Sequence, residues 1–103
     1  MKNKEINEAI EAALGNTVVD GRRVALWPHP RTGEPEIKHE SAIPDYANSL
    51  DACAEFERTL DRIRRREYVR QLYHITENDF GALCATPAQR CEAFLCMKGM
   101  WKE

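Results

Sequence analysis

The stretch Thr17-Val18-Val19-Asp20-Gly21-Arg22-Arg23-Val24-Ala25-Leu26-Trp27 decides the fold class, because it spells a strand pair in turn chemistry. Asp20-Gly21 is a favoured two-residue hairpin turn: both central positions take positive φ, which glycine adopts freely and aspartate tolerates. Short β-rich runs flank it, although the second, Arg23 to Trp27, alternates imperfectly. The hairpin places strands beside the helices that lie on either side of it in the chain.

Upstream, Asn3 to Leu14 reads as a helix, with Ile6, Ala9, Ile10, Ala13 and Leu14 on one face at three- and four-residue spacing. Asn3 is the expected cap, Glu5 and Glu8 suit the helix dipole, and Gly15 follows where a left-handed residue ends a helix. Downstream, Pro28-His29-Pro30-Arg31-Thr32-Gly33-Glu34-Pro35 holds three prolines and a glycine in eight residues. Proline fixes φ and lacks a donor, so residues 28–42 read as a long proline-rich loop. Beyond Ile43-Pro44 a helix is expected over 48–65, capped by Asn48 or Ser49, with Leu50, Cys53, Ala54, Leu60 and Ile63 on its apolar face.

Residues 67–76 alternate, with Tyr68, Arg70, Leu72, His74 and Thr76 on one side, and read as a strand. A second strand is expected within 79–85 after the polar turn Glu77-Asn78-Asp79. The last element is a helix over 87–99, with Thr86 as cap and Pro87 at the first helical position, where its missing donor costs nothing. The expected fold is therefore α/β (α+β): three helices packed on a small sheet of about four short strands, in a layered sandwich formed by one domain spanning residues 1–103.

The chain's 103 residues suffice for one core. Hydrophobic residues make up 43% and charged residues 31%, with a formal charge of −2, which argues against disorder and against a surface basic throughout. No apolar run approaches the ~18 residues of a membrane span, and the charged start Met1 to Glu5 does not read as a secretory signal. Four cysteines without a signal peptide point to reduced thiols and a cytoplasmic location.

Two segments carry a family likeness: Ile43-Pro44-Asp45-Tyr46-Ala47-Asn48-Ser49-Leu50-Asp51-Ala52, and Cys84-Ala85-Thr86-Pro87-Ala88-Gln89-Arg90-Cys91-Glu92-Ala93-Phe94-Leu95. Together they resemble the phage ABA sandwich domain, found in small phage and prophage proteins. Its members open a central helix with a Pro-(Asp/Tyr)-Tyr-Ser-Thr-Asp-like entry and a C-terminal helix with a Thr-Ala-Pro- or Thr-Pro-like cap and Ala, Cys and Leu on its buried face. The resemblance implies a fold and a phage origin; it carries no reaction, cofactor or catalytic residue. The basic run after the central helix departs from the family pattern.

No catalytic or metal signature accompanies these elements. Cys84, Cys91 and Cys96 lack the two-residue spacing of a zinc knuckle, and no glycine-rich phosphate loop is present. Cys53 or Cys84 with His74 would supply a nucleophile and base on paper, without any local signature. No cofactor is expected, and the chain does not read as an enzyme.

Two segments read as binding surfaces. Arg58, Arg62, Arg64, Arg65, Arg66 and Arg70 fall within thirteen residues, against Asp61 and Glu67. They form either a solvated helix face whose C-terminal cations complement the dipole, or a patch that grips phosphates or carboxylates. The proline-rich loop offers Trp27, His29 and Arg31, and tryptophan and arginine are enriched at binding hot spots. The expected partner-binding set is therefore Trp27, His29, Arg31, Arg62, Arg65 and Arg66. The function this suggests is a non-enzymatic phage protein that binds a host protein or complex, as an inhibitor of a bacterial defence system would. The alternative is a nucleic-acid-binding accessory protein that uses the arginine run. Short edge strands would also suit a homodimer.

Overall fold

The computed structural model describes residues 1–77 and 84–102. Among them the chain runs α1 (Asn3–Ala13), β1 (Thr17–Val19), β2 (Arg22–Pro28), β3 (Pro35–Ala42), α2 (Leu50–Glu57), α3 (Arg62–Thr76) and α4 (Pro87–Met97). The fold is mixed α and β: among the described residues it has four helices and one open antiparallel sheet in the order β1-β2-β3. The class agrees with the sequence reading, while the expectation of three helices and about four strands is corrected.

Helix α1 and the first hairpin form where expected. Lys2 rather than Asn3 sits at the N-cap, with no side-chain cap bond, so the expected Asn3 cap is corrected. Gly15 takes φ +81, and Asp20 and Gly21 take φ 52 and 74, the doubly positive turn that right-handed strand twist favours.

The proline-rich loop of residues 28–42 is corrected to a second hairpin. Val24 faces Glu40 and Leu26 faces Ile37 across the ladder, with a register shift between Ala25 and Leu26 that absorbs one extra β3 residue. Pro28 and Pro35 face each other at the end of the ladder. Proline is tolerated there because β3 is an edge strand and Pro35 its first residue. The turn between them is ordered. His29 N–H donates to Glu34 O at 2.8 Å, Gly33 N–H donates to His29 O at 2.9 Å, and the His29 Nδ1 accepts from the Arg31 and Thr32 amides.

The expected helix over 48–65 is corrected to two helices. Ser49 caps α2 as expected, accepting from the Ala52 amide. The chain then breaks at Arg58–Asp61: Leu60 turns into the core, and Asp61 accepts from the Arg64 amide at 2.7 Å and starts α3. The expected strand over 67–76 is corrected to the body of α3. Tyr68, Leu72 and Ile75 recur at four and three residues, and burying that stripe against α4 outweighs the apparent alternation. Glu77 closes α3 in the left-handed conformation, φ 66. The strand expected within 79–85 lies largely outside the described residues. Thr86 and Gln89 form a reciprocal capping box at the start of α4, with Pro87 in the first turn.

Helix α4 is the hub, with α1, α2 and α3 all packing on it. The core joins Ile6 and Ile10 of α1, Tyr46, Cys53 and Phe56 around α2, Tyr68 and Leu72 of α3, and Cys91, Phe94 and Leu95 of α4. Phe56 stacks on Phe94 with ring centroids 4.5 Å apart, and Tyr46 and Tyr68 pack on Phe56 at 6.0 and 6.2 Å. The sheet meets this core through β1 against α1, while all eight residues of β3 are exposed. The molecule measures 56 × 27 × 24 Å, elongated for a chain of this length.

One polar knot ties the sheet to the helices. Glu11 is buried, and its carboxylate accepts from Arg23 Nε at 2.7 Å and from the Tyr46 hydroxyl. Arg23 Nη2 also donates to Tyr46 Oη at 3.0 Å and to Glu55 Oε2 at 3.3 Å. No buried side-chain nitrogen or oxygen among the described residues lacks a partner.

Candidate binding surfaces

Five of the six arginines of the run lie on one helix, and its direction reverses the expected electrostatics. Arg62, Arg64, Arg65 and Arg66 occupy the first turns of α3, not the last turn of a longer helix. Cations there oppose the helix dipole, whose N-terminal end is already positive. The reading of these residues as C-terminal cations complementing a dipole is corrected.

All five arginines of α3 are exposed, and no ion pair among the described residues involves any of them. Arg58 lies in the break before α3, and its Nε donates to Ala54 O. The window from Arg58 to Arg70 carries a net +4, leaving −6 on the rest of a chain whose total is −2. The charge is therefore segregated on one element.

Helical geometry sorts the arginines. Arg62, Arg66 and Arg70 follow at four-residue intervals, with Tyr73 beyond, and form one stripe on the side away from Tyr68 and Leu72. The first and third are about 12 Å apart along the axis, at 1.5 Å per residue. Ile63, 74% exposed, and Val69, 47% exposed, flank the stripe. Arg65 lies on the Val69 side of the stripe, where it lines a groove with Leu60, Tyr68, Val69 and Leu72. The structure thus sets Arg62 and Arg66 on one stripe, with Arg65 one turn from Arg62 at its groove-side edge. Arg70 joins the stripe although the expected set omitted it, because a strand over 67–76 would have taken it off the helix.

Trp27, His29 and Arg31 lie at the far end of the second hairpin. Trp27 is 59% exposed beside exposed Leu26 and Ile37, so its ring does not close the core. His29 is held by the turn through its Nδ1, and Arg31 is exposed at the tip. This hairpin is built on β1, whereas α3 is built on α4, so the six expected residues belong to two separately supported surfaces.

Cys53 and Cys91 are buried, Cys96 is partly buried and Cys84 is exposed. Hydrogen bonding with Cys53, together with burial, pushes the Cys91 thiol up. Among the described residues no three histidine, cysteine, aspartate or glutamate side chains gather as metal ligands would, and no helix is long and apolar enough to cross a membrane. No known protein family, curated protein or solved structure matches the chain.

Proposed function

We propose that the chain is a small, non-enzymatic phage or prophage protein that occupies a surface of a host protein or complex in the bacterial cytoplasm, as an inhibitor of a defence system would. The arginine stripe Arg62, Arg66 and Arg70 is the contact. The observation that carries this reading is the placement on one helix of five exposed arginines without an ion-pair partner among the described residues, three of them, Arg62, Arg64 and Arg65, in the first turn, where the dipole disfavours cations. Such an arrangement costs stability, and an anionic partner would offset that cost. Exposed Ile63, Val69 and Tyr73 among the arginines match the mixed apolar and arginine character of protein interfaces. The hairpin tip with Trp27 and Arg31 offers a second contact.

The test is affinity capture from the bacterial host with the immobilised chain, followed by mass spectrometry. The parent retains a host component that the triple variant Arg62→Ala, Arg66→Ala, Arg70→Ala loses. Equal capture by both proteins refutes the reading.

The four-residue spacing of the arginines also suits phosphates, which favours a nucleic-acid-binding accessory protein as the second reading. Three phosphate contacts to duplex DNA would make the logarithm of affinity fall with the logarithm of salt at a slope of about −2.7. No binding at low salt eliminates this alternative.

A further inference from the structure

The groove between α2, α3 and α4 has a volume of about 250 Å³, space for one large apolar side chain. Its floor is aliphatic: Leu60 from the break before α3, and Val69 and Leu72 from α3 itself. Its polar wall is already organised. Arg90 Nη1 donates to Glu57 Oε2 at 2.9 Å, Arg90 Nε donates to Ala85 O at 3.0 Å, and the Tyr68 hydroxyl donates to the same Glu57 oxygen at 2.8 Å. Glu57 is thereby neutralised within the groove. Among the described residues Arg65 on the rim has no ion-pair partner, so the groove presents its positive charge uncompensated by them beside an apolar floor.

We propose that this groove takes an acidic peptide segment of the partner that carries a leucine or phenylalanine side chain. The inference rests on the reading of the chain as a binder of a host protein through α3. The apolar side chain enters against Leu60, Val69 and Leu72, and a neighbouring carboxylate meets the Arg65 guanidinium, whose planar fork fits it. Charge complementarity selects the occupant, since Arg62, Arg64 and Arg66 extend the positive field along the same helix. A nucleic-acid base fits poorly. Stacking needs an exposed aromatic face, and the Tyr68 ring is buried among Phe56 and its neighbours.

The probe is a fluorescein-labelled peptide Asp-Asp-Leu-Phe-Glu-Glu, with Asp-Asp-Ser-Ser-Glu-Glu as an equally charged control, titrated into the full chain. The apolar peptide binds at least about tenfold more tightly than the control and shifts the amide resonances of Leu60, Val69 and Leu72. Val69→Asp and Arg65→Glu, both at exposed positions and checked for folding by circular dichroism, each weaken it about tenfold or more. Absence of binding, equal binding of the two peptides, or unchanged binding by both folded variants overturns the groove. So does a DNA duplex that shifts the same resonances and displaces the peptide. The capture experiment with the Arg62, Arg66 and Arg70 variant stays separate: its failure refutes the arginine-stripe reading even where the peptide preference holds.

Discussion

The Arg23 guanidinium reaches from β2 to the Glu11 carboxylate of α1, Nε to Oε2 at 2.7 Å, although Glu11 lies wholly out of solvent. The pair locks the sheet to the helical core. Arg23→Ala leaves that carboxylate buried without its cation and costs about 3 kcal/mol or more. Glu11→Gln costs less, because Arg23 is partly exposed and keeps Glu55. Urea unfolding midpoints of the two variants check the asymmetry.

Acid should loosen the same joint. Burial opposes the Glu11 charge, but hydrogen bonds from Arg23 and Tyr46 and the guanidinium's own charge prevail, and the carboxyl lies below its ordinary value. A folded pKa below the unfolded one contributes stability above the unfolded value, about 4.3, that is lost as pH falls through the folded value. Stability measured between pH 5 and pH 2 should decline less steeply in Glu11→Gln than in the parent. Parallel curves would contradict this.

Alkali acts with the opposite sign. Burial and the Glu11 carboxylate push the Tyr46 phenol well up, and burial and Glu57 do the same to Tyr68. The folded state then holds protons that the unfolded state releases, so stability falls as pH rises past the ordinary phenol value of about 10. Absorbance titration should show these two tyrosines ionising only as the protein unfolds. Their ionisation with retained helical dichroism would count against the prediction.

Function and stability should part at the start of α3. Arg62→Glu replaces a cation in the first turn of a helix by an anion, a change worth about 0.5–1 kcal/mol in favour of the fold, and Arg66→Glu, a turn further in, adds little to it. The melting temperature rises by a few degrees while capture of the host component disappears. A fall in melting temperature would show that these arginines make contacts that support the fold.

The break between α2 and α3 depends on its cap. Asp61 accepts from the Arg64 amide at 2.7 Å and directly precedes Arg62 at the start of α3. Asp61→Ala should cost about 1 kcal/mol in denaturant unfolding, and Asp61→Asn only a fraction of that.

By itself the sequence determined every element whose signal is local. Asp20-Gly21 closes a hairpin because its doubly positive turn matches strand twist, and Thr86-Pro87 with Gln89 opens a helix because caps satisfy orphan amides one turn away. The exposed arginine run was legible for the same reason, as composition along one segment. Tertiary structure decided what depends on partners distant in the chain. Pro35–Ala42 is a strand because β2 offers it a ladder, although its proline and charges read as loop. Residues 67–76 are helical because Tyr68, Leu72 and Ile75 find α4 to pack on, and that burial resolves a stretch compatible with either period. The direction of the arginine helix followed from the same contact. Once Leu60 turned into the core and Asp61 restarted the helix, the arginines opened α3 instead of closing α2. The pairing of Glu11 with Arg23 had no local trace, because a salt link between a helix and a strand exists only after the elements meet.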